Sequence, residues 1–516
     1  MTEKKITIFE IVYLLYFAVM FGAKAAGLYE GILIYNISIV VGMLLFGLKV
    51  LMTEHTLLEY IVIALLIGMC FITYFCSGEK GILYFMTMIL GMKGVSTARV
   101  EKIGLTILGI FFSVLTFLCA FGVVEDNFVF NLRWRFLFSG GIIRRYLGYP
   151  NCNVTHSTFI ILMMLIVLAR GYRGKKDLLL TTIFLFVLNV FVYYYDASQT
   201  GLLISVIFFV TLIVLHFRDR FGKIEGLLIQ AIYPLIALCI TVIPATLSDE
   251  AVAWIDQFLH RRMLFLNQRL TQTPWTLFGQ RLVLTSLVDE AMDSNAYIYL
   301  LLQLGIIPCI IMTTLMVFTI YNLVQDSRKT ELAIAISFCV LGLSDAFLYN
   351  SSYKNILFIF TGEYLYRWLG SVVTKLPTIL NTKIQIVKMG SREIEYSENA
   401  LYRWWKKIGE LFDSVITNKG VIHFCVFILL GATIALVTLR VIDVHVIDAD
   451  LIRYAERYNN GVGEYEWNYY QPYVEKVELI RYALSVGVLS AGLLVLTMTG
   501  FDLMKQKAKL PKEPLV

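Results

Sequence analysis

Residues 178–195 read LLLTTIFLFVLNVFVYYY. The run carries no charge and approaches the roughly 20 residues that a helix needs to cross a bilayer. It closes on tyrosines, the residue type that belts a membrane–water interface. Outward from it, apolar windows of similar length recur towards both ends of the chain. Of the 516 residues, 58% are hydrophobic and 16% charged, and mean hydropathy is +0.73. Soluble globular domains do not have that composition. The sequence predicts an all-α polytopic membrane protein.

Apolar windows and loop charge read together give about 14 transmembrane helices. They lie near 6–25, 31–52, 57–76, 81–92, 103–123, 153–169, 178–195, 201–217, 226–246, 296–322, 331–349, 354–373, 421–441 and 482–500. Segment 81–92 is short for a span, but including it keeps the sides consistent. Lys93/Arg99/Lys102, the basic run 170–176, Arg218/Arg220, Arg328/Lys329, the stretch 375–419 and the terminal KQKAK then all fall in the cytoplasm, where short basic loops belong. Both termini are expected there too. MTEKK leads straight into an apolar stretch without a small-residue cleavage site and reads as a signal anchor. The formal net charge of +6 therefore reflects topology, and no nucleic-acid partner is expected. The expected organisation is a membrane body over 1–373, a charged cytoplasmic amphipathic linker over 374–420, and a C-terminal hairpin over 421–516. That hairpin carries an acidic, tyrosine-rich external loop at 442–481. The cysteines fall almost entirely in apolar segments, so no disulfide framework is implied.

Two other external loops, 124–152 and 247–295, break the charge pattern. They contain eight arginines and no lysine, namely Arg133, Arg135, Arg144, Arg145, Arg261, Arg262, Arg269 and Arg281. Across the chain Lys and Arg are nearly equal in number, so composition does not explain this. A guanidinium is a permanently charged planar fork that grips phosphate in a bidentate way, which suggests a phosphate or diphosphate held at the outer membrane face. Within 250–270 the residues Val252, Ile255, Leu259, Met263, Leu266 and Leu270 make one apolar helical face. Arg262 and Arg269 lie about 20° apart on that wheel. The same pattern suits an ordinary interfacial helix whose arginines snorkel to headgroups. Trp134, Phe136 and Tyr146 in the first loop suit sugar rings, and suit an interfacial aromatic belt equally well. Polar residues inside spans include Glu10, Asn36, Asn189, Asp345 and Glu363; Glu10 and Glu363 are near helix ends or basic residues and read as structural. No HExxH, Walker, CxxC or DxD signature occurs in these two arginine-bearing loops, so no metal or cofactor is expected.

The blocks RRYLGYPNCNVTHSTFIILMMLIVL, DASQTGLLISVIFF, and TLFGQ followed by DSNAYIYLLLQLGII resemble the O-antigen ligase/polymerase (Wzy-type) family. The resemblance covers roughly residues 130–320 and is closest to capsular and exopolysaccharide repeat-unit polymerases of Gram-positive bacteria. It implies a GT-C-like body of about 12 helices and a metal-independent glycosyltransferase that joins polyprenyl-diphosphate-linked oligosaccharides. The reaction would take place on the extracytoplasmic side of the bacterial cytoplasmic membrane. Flippase and chain-length-regulating proteins become expected partners. By position, Arg145 and Arg262 match the family's essential external arginines, with Arg144, Arg269, Arg281, Asn151, His260 and Asn295 as further substrate-binding candidates. Ligases of the family carry a His just before the final Asn, where this chain has Asp293-Ser294-Asn295, which favours a polymerase. The general base stays open among Asp293, Glu290, Asp289 and His260, with Asp293 foremost. A ligase-like transferase to another acceptor and a lipid-linked oligosaccharide flippase are the rival readings.

Overall fold

The structure is a computed structural model. It describes every residue except 1–4, 30, 121, 125, 132–141, 173, 219–220, 247–249, 251–265, 267–268, 282–294, 344–354, 376, 396–408, 411–412, 414, 443–463 and 510–516. Among the described residues, eleven helices are long and apolar enough to cross a membrane. They belong to α1 (Ile8–Ala25), α2 (Leu33–Met52), α3 (Leu57–Ser77), α5 (Thr97–Ala120), α6 (Cys152–Arg170), α7 (Lys175–Asp196), α8 (Gln199–Phe217), α9 (Lys223–Thr246), α11 (Ile306–Gln325), α14 (Asn418–Val441) and α15 (Glu464–Lys509). Three more apolar segments form shorter helices, α4 (Gly81–Leu90), α12 (Lys329–Leu341) and α13 (Leu357–Val373). The chain is a predominantly helical, multi-pass membrane-type protein with no closed sheet among the described residues. It divides into two compact units.

The first unit takes in Met1–Phe112, Met164–Ala169 and Ile207–Tyr396. At its centre α4 is buried along its whole length, yet ten residues give only about 15 Å of helix, half of a hydrocarbon core. Hydrogen bonds tie it to α1, from Tyr13 Oη to the Met88 carbonyl at 2.9 Å and between Tyr16 Oη and Thr87 Oγ1 at 2.7 Å. A capping box of Thr56 and Glu59 starts α3, and Gly78 ends it in the left-handed region. Glu10 accepts from the Ser96 amide and from Arg99, and Glu363 pairs with Arg328 and Arg367. Both carboxylates thus hold helix ends together, as read from the sequence. Part of the expected linker is also built in. Strand β6 (Glu393–Glu395) pairs with β1 (Lys5–Thr7), and β5 (Lys383–Ile384) pairs with β2 (His55–Thr56), so 378–395 straps the ends of α1 to α3.

The span expected over 296–322 is broken. A short α10 (Ala296–Ile298) runs into a single π-helical turn, Tyr299–Gln303, and α11 restarts only after Gly305. The TLFGQ block fills the gap. The Ile306 and Ile307 amides donate to the Thr276 and Leu277 carbonyls, and the Gln280 amide donates to the Gln303 carbonyl, at 3.0–3.1 Å. Gly279 and Gly305 have φ of 85° and 100°, and a Cβ at Gly305 would sit 2.3 Å from the Gly279 nitrogen.

The second unit comprises Ser113–Met163, Arg170–Val206 and Ser397–Val516. Helices α14 and α15 pack closely through Gly431 and Gly487, the small-residue contact that membrane helices use. α7 joins them, with Phe184 against Phe424 at 5.0 Å. An antiparallel hairpin of β3 (Phe128–Asn131) and β4 (Ile142–Arg145) precedes α6. Helix α15 has 46 residues, about 69 Å, so it extends well beyond the expected span 482–500.

Gly305→Ala should lower stability by at least ~1–3 kcal/mol, since it combines a positive φ with a backbone clash. A thermal melt of the detergent-solubilised protein checks this against Gly47→Ala, where a Cβ meets nothing within 4 Å. Equal melting of the two variants would contradict the docked loop.

Candidate functional site

Arg144 and Arg145 are adjacent on β4, so strand alternation sends their side chains to opposite faces. Arg144 donates through Nε to the Asp196 carbonyl at 3.1 Å and through Nη2 to Asn153 Oδ1 at 3.0 Å. Arg145 reaches Asp126 at 3.4 Å and Glu478 of α15 at 3.2 Å. Asp126 is fixed in turn by the Leu147 amide at 2.8 Å. Glu478 also pairs with the buried Arg481. Burial opposes the charge on Arg145, but the facing Glu478 and Asp126 outweigh it and hold the guanidinium above its ordinary pKa. Two arginines meet two carboxylates, and the cluster is neutral.

Beneath this hairpin lies a polar network entirely cut off from solvent. His156 Nδ1 lies 2.8 Å from Asp196 Oδ2, and Nε2 lies 3.1 Å from Asn189 Oδ1. Asn189 Nδ2 donates to Ser205 at 2.7 Å. An oxygen thus faces each ring nitrogen within hydrogen-bond distance. Ser198 donates to Asn153 at 3.0 Å, so the network continues to Arg144. Asn151 accepts from the Val154 amide at 2.8 Å and caps α6. Its carbonyl oxygen is occupied by that local bond.

The second arginine loop belongs to the first unit. Leu266 and Leu270, the described end of the expected amphipathic helix, are buried against Ile298 and Leu302. Arg269 is half-buried one position before Leu270. Arg281 leaves the docked TLFGQ loop and lies beside Gly78, its Nε 3.5 Å from where a Cβ would be. Asn295 caps α10, accepting from the Tyr297 and Ile298 amides at 3.0 and 3.1 Å. Its amide nitrogen donates to the Leu343 carbonyl at 3.2 Å. His260, Arg261, Arg262, Asp289, Glu290 and Asp293 lie outside the described residues, as do Arg133, Arg135, Trp134, Phe136 and Asp345. The structure therefore places Arg144, Arg145 and Asn151 together in one unit, and Arg269, Arg281 and Asn295 in the other.

Sequence reasoning did not find His156–Asp196, Glu478 or Glu79. The first pair had a signal, because His156 and Asp196 each sit at the edge of an apolar run, where a polar group calls for a partner. The sequence separation of 333 residues between Arg145 and Glu478 left no local trace. Among the described residues no group of three or more His, Cys, Asp or Glu side chains is placed to hold a metal ion. No protein-family model, curated protein or solved structure matches the chain.

Glu478→Leu should destabilise the protein by ~3–5 kcal/mol, because it leaves Arg481 buried without its carboxylate. The double variant Glu478→Leu/Arg481→Met should recover most of that loss. Denaturation in mixed micelles measures both; equal losses in the single and double variants would remove this ion pair from the account.

Proposed function

We propose that this chain is a repeat-unit polymerase, joining polyprenyl-diphosphate-linked oligosaccharides at the extracytoplasmic face of a bacterial cytoplasmic membrane. The proposed topology has fourteen membrane segments and two cytoplasmic termini. The observation that carries the reading is the lysine-free set of arginines on loops 124–152 and 247–295. Breaking a glycosyl–diphosphate bond leaves negative charge on the departing phosphate, and fixed guanidinium groups stabilise it as it develops.

Arg145 and Arg262 are the arginines proposed for that leaving group. The pairing of Arg145 with Asp126 and Glu478 refines the division of labour. Two of its donors are engaged and its charge is largely compensated, so it holds an oriented fork rather than an open cation. Arg262 is proposed for the leaving group from the second loop, with Arg269 and Arg281 as substrate-binding candidates.

One observation favours a flippase instead. Transporters bind cargo at discontinuous helices, and α10–α11 is discontinuous. The break here is filled by the chain's own TLFGQ loop, whereas a cargo site at the break needs room for the cargo. A ligase-like transferase to another acceptor uses the same arginines and differs only in the product.

Reconstitution with a synthetic polyprenyl-diphosphate repeat unit tests the proposal. The expected result is polymer together with released polyprenyl diphosphate, and a fall of about 100-fold or more in Arg262→Ala. Movement of the lipid-linked unit across the bilayer without polymer would support the flippase and end the polymerase reading.

A further inference from the structure

Glu79 lies in the turn that follows Gly78 at the end of α3. Tyr299 Oη donates to Glu79 Oε2 at 3.1 Å, and Gln303 Nε2 donates to Glu79 Oε1 at 2.9 Å. The Glu79 amide donates to Ser77 Oγ at 3.1 Å, which fixes the turn. Tyr299 and Gln303 are the first and last residues of the π-helical turn, so the broken span delivers both donors to one carboxylate. Such turns inside helices concentrate at functional sites.

Two further observations point to a ligand. The Gln303 side chain is more than nine-tenths buried, and its Oε1 accepts no hydrogen bond among the described residues. A buried acceptor left unpaired costs about 1–3 kcal/mol. Thr276 Oγ1, in the loop docked against the same turn, is likewise buried without a partner. Gln303 Oε1 is thus an acceptor without a donor, and an alcohol O–H supplies one. Arg281, one of the lysine-free arginines, lies beside Gly78, adjacent to Glu79.

On this basis, and resting on the polymerase reading, we propose that Glu79 is the general base that receives the proton of the acceptor sugar hydroxyl. Gln303 Oε1 accepts from a neighbouring hydroxyl of the same sugar, and Tyr299 positions the carboxylate. The acceptor oxygen forms a bond to the anomeric carbon of the donor as the bond from that carbon to the diphosphate oxygen breaks. The bonding pair leaves with the diphosphate, and the hydroxyl proton passes to Glu79 and then to water. No further reactant is needed. The assignment puts Glu79 in the role for which the sequence favoured Asp293.

The full-length protein in proteoliposomes, given a synthetic polyprenyl-diphosphate repeat unit, provides the test. Glu79→Gln preserves shape and removes the base, so turnover should fall about 100-fold or more, while Glu79→Asp keeps part of the activity. Tyr299→Phe removes a hydrogen bond that favours the charged carboxylate, so the acid limb of the pH–rate profile should move to higher pH. A purely structural tyrosine would leave that limb in place. Wild-type turnover in Glu79→Gln, or an unmoved limb in an active Tyr299→Phe, overturns the assignment, as does loss of the base-dependent step in Asp293→Asn alone. Failure of the wild-type protein to release polyprenyl diphosphate sinks the polymerase reading itself.

Discussion

A helix that stops within a membrane protein exposes amides and carbonyls that the lipid cannot satisfy, and each must find a partner inside the protein. The break between Gln303 and Ile306 meets that constraint with the TLFGQ backbone, which returns bonds on both sides of the gap. Much else follows from this one repair. The loop can approach only because Gly279 and Gly305 have no side chains. Its docking carries Arg281 to Gly78, and the π turn beside it aims Tyr299 and Gln303 at Glu79. A local hydrogen-bonding requirement thereby gathers residues from three distant stretches of sequence.

Charge is handled by the same logic. Glu10, Glu363, Asp126, Glu478 and Asp196 all have cationic or ring-nitrogen partners. Unpaired ions are costly away from water, so pairing permits their burial but adds little net stability over an apolar core. The pairing has a functional side. A guanidinium clamped by two carboxylates has its direction fixed and its charge largely compensated. Arginines that differ in their pairing are therefore not interchangeable in what they contribute.

The helices were legible in the sequence because apolar length is a local property. Stretch 178–195 declares itself without reference to any neighbour, and each of the expected segments contains helix. The weakest of them, 81–92, is a helix of ten residues buried along its whole length. The break at Gly305 was written more faintly, as a glycine three residues ahead of Pro308. Such a proline fits the first turn of a restarting helix, yet the apolar run continues through it and hides the interruption. The polar pairs were hardest to read. His156 and Asp196 announce the need for a partner but not its identity, because partnership is decided by packing across 40 residues. The apolar face ending in Leu266 and Leu270 gave its periodicity but not its counterpart, Ile298 and Leu302.

The bond between Arg145 and Glu478 also has a consequence in time. A membrane chain is inserted from its N-terminus onward, and 333 residues separate the two partners. At synthesis rates of about 5–20 residues per second, the hairpin bearing Arg145 exists for tens of seconds before α15 emerges to complete its environment. During that interval Asp126 is its only carboxylate from this pair. The last helix made is the one that closes the cluster, so a chain released early lacks not just a terminal hairpin but half of the counter-charge on which its first arginine loop is set.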